Sequence, residues 1–340
     1  MKTIPLSAIT SRGETYSNSH WGSVFSAIIL TAGMLTVVQV VVERPLLLAD
    51  RFFPGMGWIE ILVLSLYAGF LTPKILNPKT SVRWRTILWL TFSVIFFSQL
   101  ILGIFGFTTF LMSGVLHYPV PGLIVAGPIY RGENFFMPIL FGSTLFFIGP
   151  AWCSYFCYLG GWDLLASQQV KRPRPLSKWR RPRQIAILVL VVGGALYLRF
   201  SGVPISIVSR LVALFGLGGL FIILFLSRRY GSMIHCISYC PIGLVANVFG
   251  KISPFRIKID SSCTSCGSCS MVCRYDALKP ENIERKKTGL SCTLCGDCID
   301  SCTNDYIHYS FPGLSPKAAR TLFIIIVVSF HAVSIGVARI

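Results

Sequence analysis

Charged side chains are scarce in this sequence. Only 13% of its 340 residues are Asp, Glu, Lys or Arg, whereas 53% are hydrophobic and the mean hydropathy is +0.67. A water-soluble globule needs more surface charge than this to cover itself. The shortage of charged residues therefore argues against an ordinary soluble protein and favours a membrane protein.

Acidic residues are scarcer still, with 13 Asp and Glu against 31 Lys and Arg, a net charge of +18. In a soluble chain such an excess would suggest a nucleic-acid partner. Here the basic residues lie beside apolar runs, where they more often mark the inner side of a membrane and contact anionic lipid headgroups. We expect the bilayer as a partner and no nucleic acid.

Histidine is also scarce, and the motifs of common enzyme families are lacking. Of five histidines only His331 falls within a predicted membrane span, and a membrane haem needs two histidines that face each other. No phosphate-binding loop, catalytic triad or nucleotide-binding fingerprint is present. The sequence therefore predicts no catalytic residue and no haem held by this chain alone.

Long apolar runs are what the sequence has in abundance. Because only helices satisfy their backbone in lipid, runs of about twenty residues predict membrane helices. We predict an all-α polytopic membrane protein with seven spans, at residues 21–42, 57–73, 86–112, 134–152, 184–200, 203–227 and 321–338.

Loop charge predicts the orientation of these spans. Residues 1–20 lack an apolar run with a cleavage site, so we expect a cytoplasmic N-terminal segment that is followed by a retained span. With the N-terminus inside, 25 of the 31 basic residues lie on the cytoplasmic side. We expect a multi-pass protein of the inner (cytoplasmic) membrane, with its twelve cysteines at the reducing face.

Eight cysteines form two near-copies of one pattern, CTSCGSCSMVC at 263–273 and CTLCGDCIDSC at 292–302. In the spacing C-x2-C-x2-C-x3-C, three thiolates reach one cubane iron–sulfur cluster and the fourth reaches its neighbour. Gly267 and Gly296 occupy matching positions where the backbone must wrap closely. The predicted ligands of a first [4Fe–4S] cluster are Cys263, Cys266, Cys269 and Cys302. Those of a second are Cys292, Cys295, Cys298 and Cys273.

Other uses of these cysteines fit the spacing less well. A zinc ribbon would leave four of the eight unexplained, and disulfides are disfavoured in a reducing compartment. The segment resembles a bacterial-type two-cluster ferredoxin, except that Arg274 and Thr303 stand where proline usually follows the fourth cysteine. The resemblance implies a small α+β ferredoxin domain at 250–319. It lies between a helical domain at 21–249 and a C-terminal transmembrane helix at 320–340.

The remaining four cysteines form a second repeat, CSYFCYLGG at 153–161 and CISYCPIGL at 236–244. Both read C-x3-C-x-x-G, and residues four apart on a helix share a face. Three interpretations stay open: a third iron–sulfur or other metal centre, a reversible dithiol relay or soft-metal site, or buried thiols without a cofactor. The residues in question are Cys153, Cys157, Cys236 and Cys240.

The whole layout resembles the NapH/NosR-type membrane polyferredoxin family, and CcoG-like proteins share parts of it. The likeness spans roughly residues 86 to 310 and is carried by the two C-x3-C motifs and the ferredoxin-type repeats. Cys236-x3-Cys240-Pro241 matches the family motif fully, while Tyr158 replaces the proline of the first copy.

This resemblance implies a membrane-bound iron–sulfur electron-transfer subunit, for which the quinol dehydrogenase type is one interpretation. It would pass electrons between the quinone pool, or a cytoplasmic ferredoxin-like carrier, and a redox partner such as a flavoprotein, cytochrome or reductase. Quinone is a possible further cofactor. The alternative is a membrane metal reductase or maturation factor for a respiratory metalloenzyme, in which the C-x3-C cysteines handle metal ions transiently.

Overall fold

The computed structural model describes residues 21–42, 45–110, 118–133 and 135–337. The predicted cytoplasmic segment 1–20 and the last three residues of the predicted segment 320–340 lie outside this range. The chain divides into two compact units. The first contains the described residues up to Trp84 together with Ile324–Val337, and the second contains Arg85–Phe323.

The structure is mostly helical, and seven of its described helical segments are long and apolar enough to cross a bilayer, which confirms the predicted number of spans. They identify the chain as a multi-pass membrane protein. The seven segments are Trp21–Val41, Gly57–Leu76, Ser81–Ile104, Phe136–Tyr155, Arg180–Phe200, Ile205–Tyr230 and Pro316–Val337.

In the first unit, α1 (Trp21–Val41) packs against α3 (Gly57–Leu76), with the short α2 (Leu48–Phe52) between them in sequence. Gly69 allows this approach, because a Cβ there would lie 2.7 Å from Ile28 Cγ1. Small residues serve this purpose in lipid, where apolar side chains gain little from contacting one another instead of lipid.

The second unit contains the remaining helices, several of them short and broken. Those before the cysteine-rich segment are α4 (Ser81–Ile104), α5 (Leu123–Arg131), α6 (Phe136–Ile148), α7 (Trp152–Tyr155), α8 (Gly160–Ser167), α9 (Arg180–Phe200), α10 (Ile205–Phe221), α11 (Arg228–Tyr230) and α12 (Pro241–Phe249). Wider π-helical turns occupy Ile222–Ser227 and His235–Tyr239, and 3₁₀ turns occupy Thr108–Phe110, Gly149–Ala151 and Gly250–Ile252. Both cysteine pairs lie where such turns interrupt the helices.

The cysteine-rich segment (residues 250–319) holds the two described strands, β1 (Arg256–Ile259) and β2 (Ile307–Ser310), paired antiparallel. Between them lie α13 (Ser268–Val272), α14 (Pro280–Glu284) and α15 (Asp297–Asp300), and α16 (Pro316–Val337) begins at the end of the segment.

The two cysteine copies share unusual backbone positions at an offset of 29 residues. Left-handed residues occur at Ser265 and Leu294, at Gly267 and Gly296, and at Asp276 and Asp305. A left-handed non-glycine residue costs about 1–2 kcal/mol, so it persists only where the fold requires it. The sequence repeat is therefore also a repeat of conformation, as the matching glycines predicted.

Three membrane helices begin about one turn earlier than their apolar runs. Helices α4, α9 and α16 start at residues 81, 180 and 316 instead of the predicted 86, 184 and 321. Each extra turn carries an arginine that pairs with an aspartate of the cysteine-rich segment. The pairs are Arg85–Asp297 at 2.7 Å, Arg180–Asp276 at 2.8 Å and Arg320–Asp300 at 3.0 Å. Arginines that hydropathy assigns to loops are thus helical, and partly buried carboxylates neutralise them.

Candidate functional site

The structure brings the second predicted quartet together, which consists of Cys292, Cys295, Cys298 and Cys273. Burial raises the pKa of Cys298 well above its ordinary value, and the charges of the other three thiols raise it further. Burial also raises the pKa of Cys273 to about 12, with a contribution from Cys292. Cys298, in α15, therefore lies within electrostatic reach of the other three sulfurs. Cys292 and Cys295 precede α15, and Cys273 follows α13.

The first predicted quartet consists of Cys263, Cys266, Cys269 and Cys302. Burial raises the pKa of Cys269 to about 11, and the neighbouring charges of Cys263 and Cys266 add to this. Cys302 is buried just after α15, which packs against α13. Cys266 differs from the rest because it is exposed, and its hydrogen bond with Ser268 lowers its pKa. One edge of this quartet therefore faces solvent.

The four C-x3-C cysteines also converge, although 83 residues separate the two pairs in sequence. We refer to Cys153, Cys157, Cys236 and Cys240 as the C-x3-C quartet. All four are buried, with exposed fractions of 5%, 5%, 7% and 6%. Burial raises the pKa of Cys236 well above its ordinary value, and the charges of Cys157, Cys240 and Cys153 all contribute. A metal centre shared by the two pairs requires this convergence, whereas buried thiols without a cofactor do not. The four thiols are free in this structure.

Hydrogen bonds to the backbone hold the two halves of the C-x3-C quartet in place. Gln184 Nε2, in α9, donates to the carbonyls of Cys236 at 3.0 Å and Cys240 at 2.9 Å. Trp89 Nε1, in α4, donates to the Cys157 carbonyl at 2.7 Å. Neither side chain was predicted from the sequence, because Gln184 lies at the start of its apolar run, next to Arg183, and Trp89 lies among other apolar residues.

Asp163 connects the two halves. Its Oδ2 accepts a hydrogen bond from the Cys236 N–H at 3.1 Å, and Asp163 itself lies six residues after Cys157. Asp163 is fully buried, and burial raises its pKa to about 6. The carboxyl thus adds a hydrogen-bond acceptor beside four sulfurs in an apolar setting.

The glycine of each C-x3-C-x-x-G copy explains why the repeat extends past its cysteines. A Cβ on Gly243 would lie 2.3 Å from the Cys236 carbonyl oxygen, and one on Gly160 would lie 3.1 Å from the Cys153 carbonyl oxygen. In both copies the chain folds back onto the backbone of its own first cysteine, and only glycine permits that approach.

Tyr158, which directly follows Cys157, packs against α4 through its aromatic ring. Its ring stacks on Phe96 with centroids 4.0 Å apart and planes 2° from parallel. Ser93 Oγ donates to the Tyr158 carbonyl at 2.7 Å. Helix α4 thus supports the turn that follows Cys157.

The C-x3-C quartet and the second quartet are joined through the residues between Cys153 and Cys157. Ser154 Oγ donates to the Thr293 carbonyl at 2.9 Å, and Tyr155 Oη donates to the Cys295 carbonyl at 3.2 Å. Two consecutive side chains of the first C-x3-C copy therefore reach the loop that carries the second quartet.

Two buried arginines place positive charge beside the second quartet. Arg85 is 1% exposed and forms hydrogen bonds to both Asp297 oxygens. Burial and the Asp297 charge raise the pKa of Cys295, while the Arg85 charge lowers it. Arg180, whose Nε contacts Asp276, lies within electrostatic reach of Cys273. Cationic groups of this kind stabilise bound thiolates.

The donor set fits cubane clusters in its chemistry. Such clusters require sulfur ligands in groups of four and a backbone that wraps closely, and the chain offers groups of four cysteines with glycines beside them. Among the described residues no three His, Cys, Asp or Glu side chains converge as the shell of a single metal ion requires. A cubane holds each thiolate at a different corner and so spaces them more widely than one ion does.

Comparison with protein-family models, with curated proteins and with solved structures gives no match for this chain. The site is therefore defined by its own residues: three cysteine quartets, the buried charges beside them and the side chains that join them.

Proposed function

We propose that this chain is a membrane-bound iron–sulfur electron-transfer subunit. It passes electrons between the quinone pool or a cytoplasmic donor and a membrane or outer-face redox partner. The observation that supports this most is the arrangement of three four-cysteine groups. Ser154 and Tyr155, which lie between Cys153 and Cys157, donate hydrogen bonds to the loop that carries the second quartet. When bound, [4Fe–4S] clusters supply one-electron exchange and no bond chemistry.

In this proposal the exposure of the cysteines gives an order to the three centres. The first quartet, with its exposed Cys266, exchanges electrons with a soluble carrier. The second quartet is shielded by α4 and α9 through Arg85 and Arg180. The C-x3-C quartet lies at the ends of apolar helices, where a lipid-soluble quinone or a partner subunit takes over. A bilayer core of about 30 Å is too thick for a single tunnelling step, so such an acceptor is needed.

The cysteine-rich segment is assigned to the cytoplasmic face of the inner membrane in this proposal. The support is the loop charge, with 25 of 31 basic residues on that side of the predicted topology. The same segment is proposed to be a ferredoxin-type module, on the strength of its repeated cysteine spacing and its repeated left-handed residues.

The burial of the C-x3-C quartet favours this function over metal reduction or maturation. A factor that handles metal ions transiently needs thiols that can meet an incoming ion. Here the most accessible of the four cysteines is 7% exposed, and Gln184 and Trp89 fix the surrounding backbone. Such a rigid, closed site suits a permanent cofactor.

A redox titration followed by EPR spectroscopy tests the proposal. We expect three reversible one-electron centres in the anaerobically purified chain, and we expect a soluble quinone to reoxidise them after chemical reduction. A chain whose metals are EPR-silent through a full redox cycle, or whose metal exchanges freely with a chelator, would support metal handling instead.

A further inference from the structure

Tyr275 lies between the second quartet and the C-x3-C quartet. It is 3% exposed and belongs to one buried core with Cys236 and Trp89, against which Cys273, Cys292 and Cys295 pack. Burial raises the Tyr275 pKa, and the charges of Cys236 and Cys295 raise it further. One aromatic ring thus lies within electrostatic reach of a sulfur from each quartet.

The preceding residue, Arg274, fixes the position of this ring. Its Nη1 donates to the carbonyls of Ser167 at 3.1 Å, Val170 at 2.8 Å and Gly231 at 2.8 Å, and its Nη2 donates to the Lys171 carbonyl at 3.3 Å. Ser167 ends α8 and Gly231 follows α11, so the carbonyls of these two residues lie at helix ends, where intrahelical donors are lacking. A guanidinium matches both their geometry and the negative end of each helix dipole.

The backbone closes the contact from the other side. The Met233 N–H donates to the Arg274 carbonyl at 2.9 Å, three residues before Cys236. Gly231 is left-handed at φ +67°, and a Cβ there would lie 2.9 Å from Val170 Cβ and 3.2 Å from Arg274 Nη1. The residue opposite Arg274 must therefore be small.

The other cysteine copy provides an internal comparison. At an offset of 29 residues, Arg274 and Tyr275 correspond to Thr303 and Asn304, and both of these are exposed. The arginine and the tyrosine occur only in the copy whose end contacts α8, α11 and the Met233 backbone. Arg274 also stands where two-cluster ferredoxins usually have proline, which offers no side-chain donor.

We propose that Arg274 and Tyr275 form the electron-transfer bridge between the second quartet and the C-x3-C quartet. Tyr275 fills the space between the two quartets, and the hydrogen bonds of Arg274 keep the distance between the quartets fixed. This inference rests on the proposed function, because both quartets must carry clusters. Cys292, Cys295, Cys298 and Cys273 would hold one cluster, and Cys153, Cys157, Cys236 and Cys240 the other. With both bound, one electron would pass from the reduced cluster to the oxidised one, and no bond would form or break. Tunnelling rates fall steeply as a gap widens or empties, so both residues control the rate.

The test uses the full chain in detergent, with the variants Tyr275→Phe, Tyr275→Leu and Arg274→Gln. The controls Asn304→Leu and Thr303→Gln are at the corresponding positions of the other copy. After flash photoreduction, freeze-quench EPR follows the electron between the ferredoxin-type clusters and the C-x3-C centre. We expect Tyr275→Phe and the controls to match the parent. We expect Tyr275→Leu and Arg274→Gln to slow equilibration by about one to two orders of magnitude.

Hydrogen exchange and iron content make the outcomes decisive. Arg274→Gln should also speed amide exchange around Met233, which a purely local change would not do. If Tyr275→Leu and Arg274→Gln retain all their iron and electrons equilibrate between the clusters at the rate of the unchanged chain, the bridge is overturned. The proposed function would still stand. A parent chain with only about eight iron atoms lacks the C-x3-C cluster, so both proposals fail together. If Tyr275→Leu loses iron, Arg274→Gln decides, since its hydrogen bonds go only to backbone carbonyls.

Discussion

Replacing Cys236 by alanine is expected to lower the iron content from about twelve to about eight atoms per chain. Cys236 is one of four buried sulfurs that converge from two pairs far apart in sequence. With three thiolates left in an apolar site, a cubane loses one of its corners and no water ligand reaches it. Iron and sulfide analysis of anaerobically purified protein measures the loss.

The matched control for this prediction is Ser238→Ala, in the same π-helical turn and equally buried at 7% exposed. It should retain all the iron. The EPR signals of the two ferredoxin-type clusters should survive in Cys236→Ala, because their own cysteines are intact. Iron that stays at about twelve atoms in Cys236→Ala would show that the C-x3-C quartet binds no cluster through this residue.

Replacing Arg85 by glutamine is expected to cost about 3–5 kcal/mol of stability, because it leaves the Asp297 carboxylate, whose side chain is only 15% exposed, unpaired. Arg85 is 1% exposed and contacts both Asp297 oxygens as well as the Ser154 carbonyl. Asp297 lies between Cys295 and Cys298 in sequence, so the second cluster should be lost first. The measurement is the temperature at which half of the visible cluster absorbance disappears.

Two further variants separate pairing from simple loss of charge. Arg83→Gln removes an exposed arginine two residues away and should change stability by no more than about 0.5 kcal/mol. Arg85→Gln combined with Asp297→Asn removes both charges and should recover most of the loss, since neither charge is then buried alone. Equal destabilisation by Arg83→Gln and Arg85→Gln would contradict the role of the buried pair.

The helices were predictable because lipid imposes a simple rule on the sequence. Apolar runs of about twenty residues predicted seven spans, and the described part of the chain contains seven helical segments long and apolar enough to cross a bilayer. The starts of α4, α9 and α16 were not predictable in the same way. Hydropathy treats Arg85, Arg180 and Arg320 as loop charge, whereas each is paired with a distant aspartate that only the fold brings near.

In the candidate site, too, one part was predictable from the sequence and another was not. Cysteine spacing predicted which residues form groups, and the structure brings together the second quartet and the C-x3-C quartet as grouped. The side chains around them have no sequence spacing to reveal them. Gln184 and Trp89 contact cysteines from separate helices, and Arg274 was visible only as a missing proline.

The measurement that tests the central claim most directly is acid-labile sulfide, determined together with iron in the anaerobically purified chain. Three cubanes predict about twelve sulfides and about twelve iron atoms per chain. A colourless preparation with free thiols and no bound sulfide, or one that holds zinc in place of iron, would contradict the account.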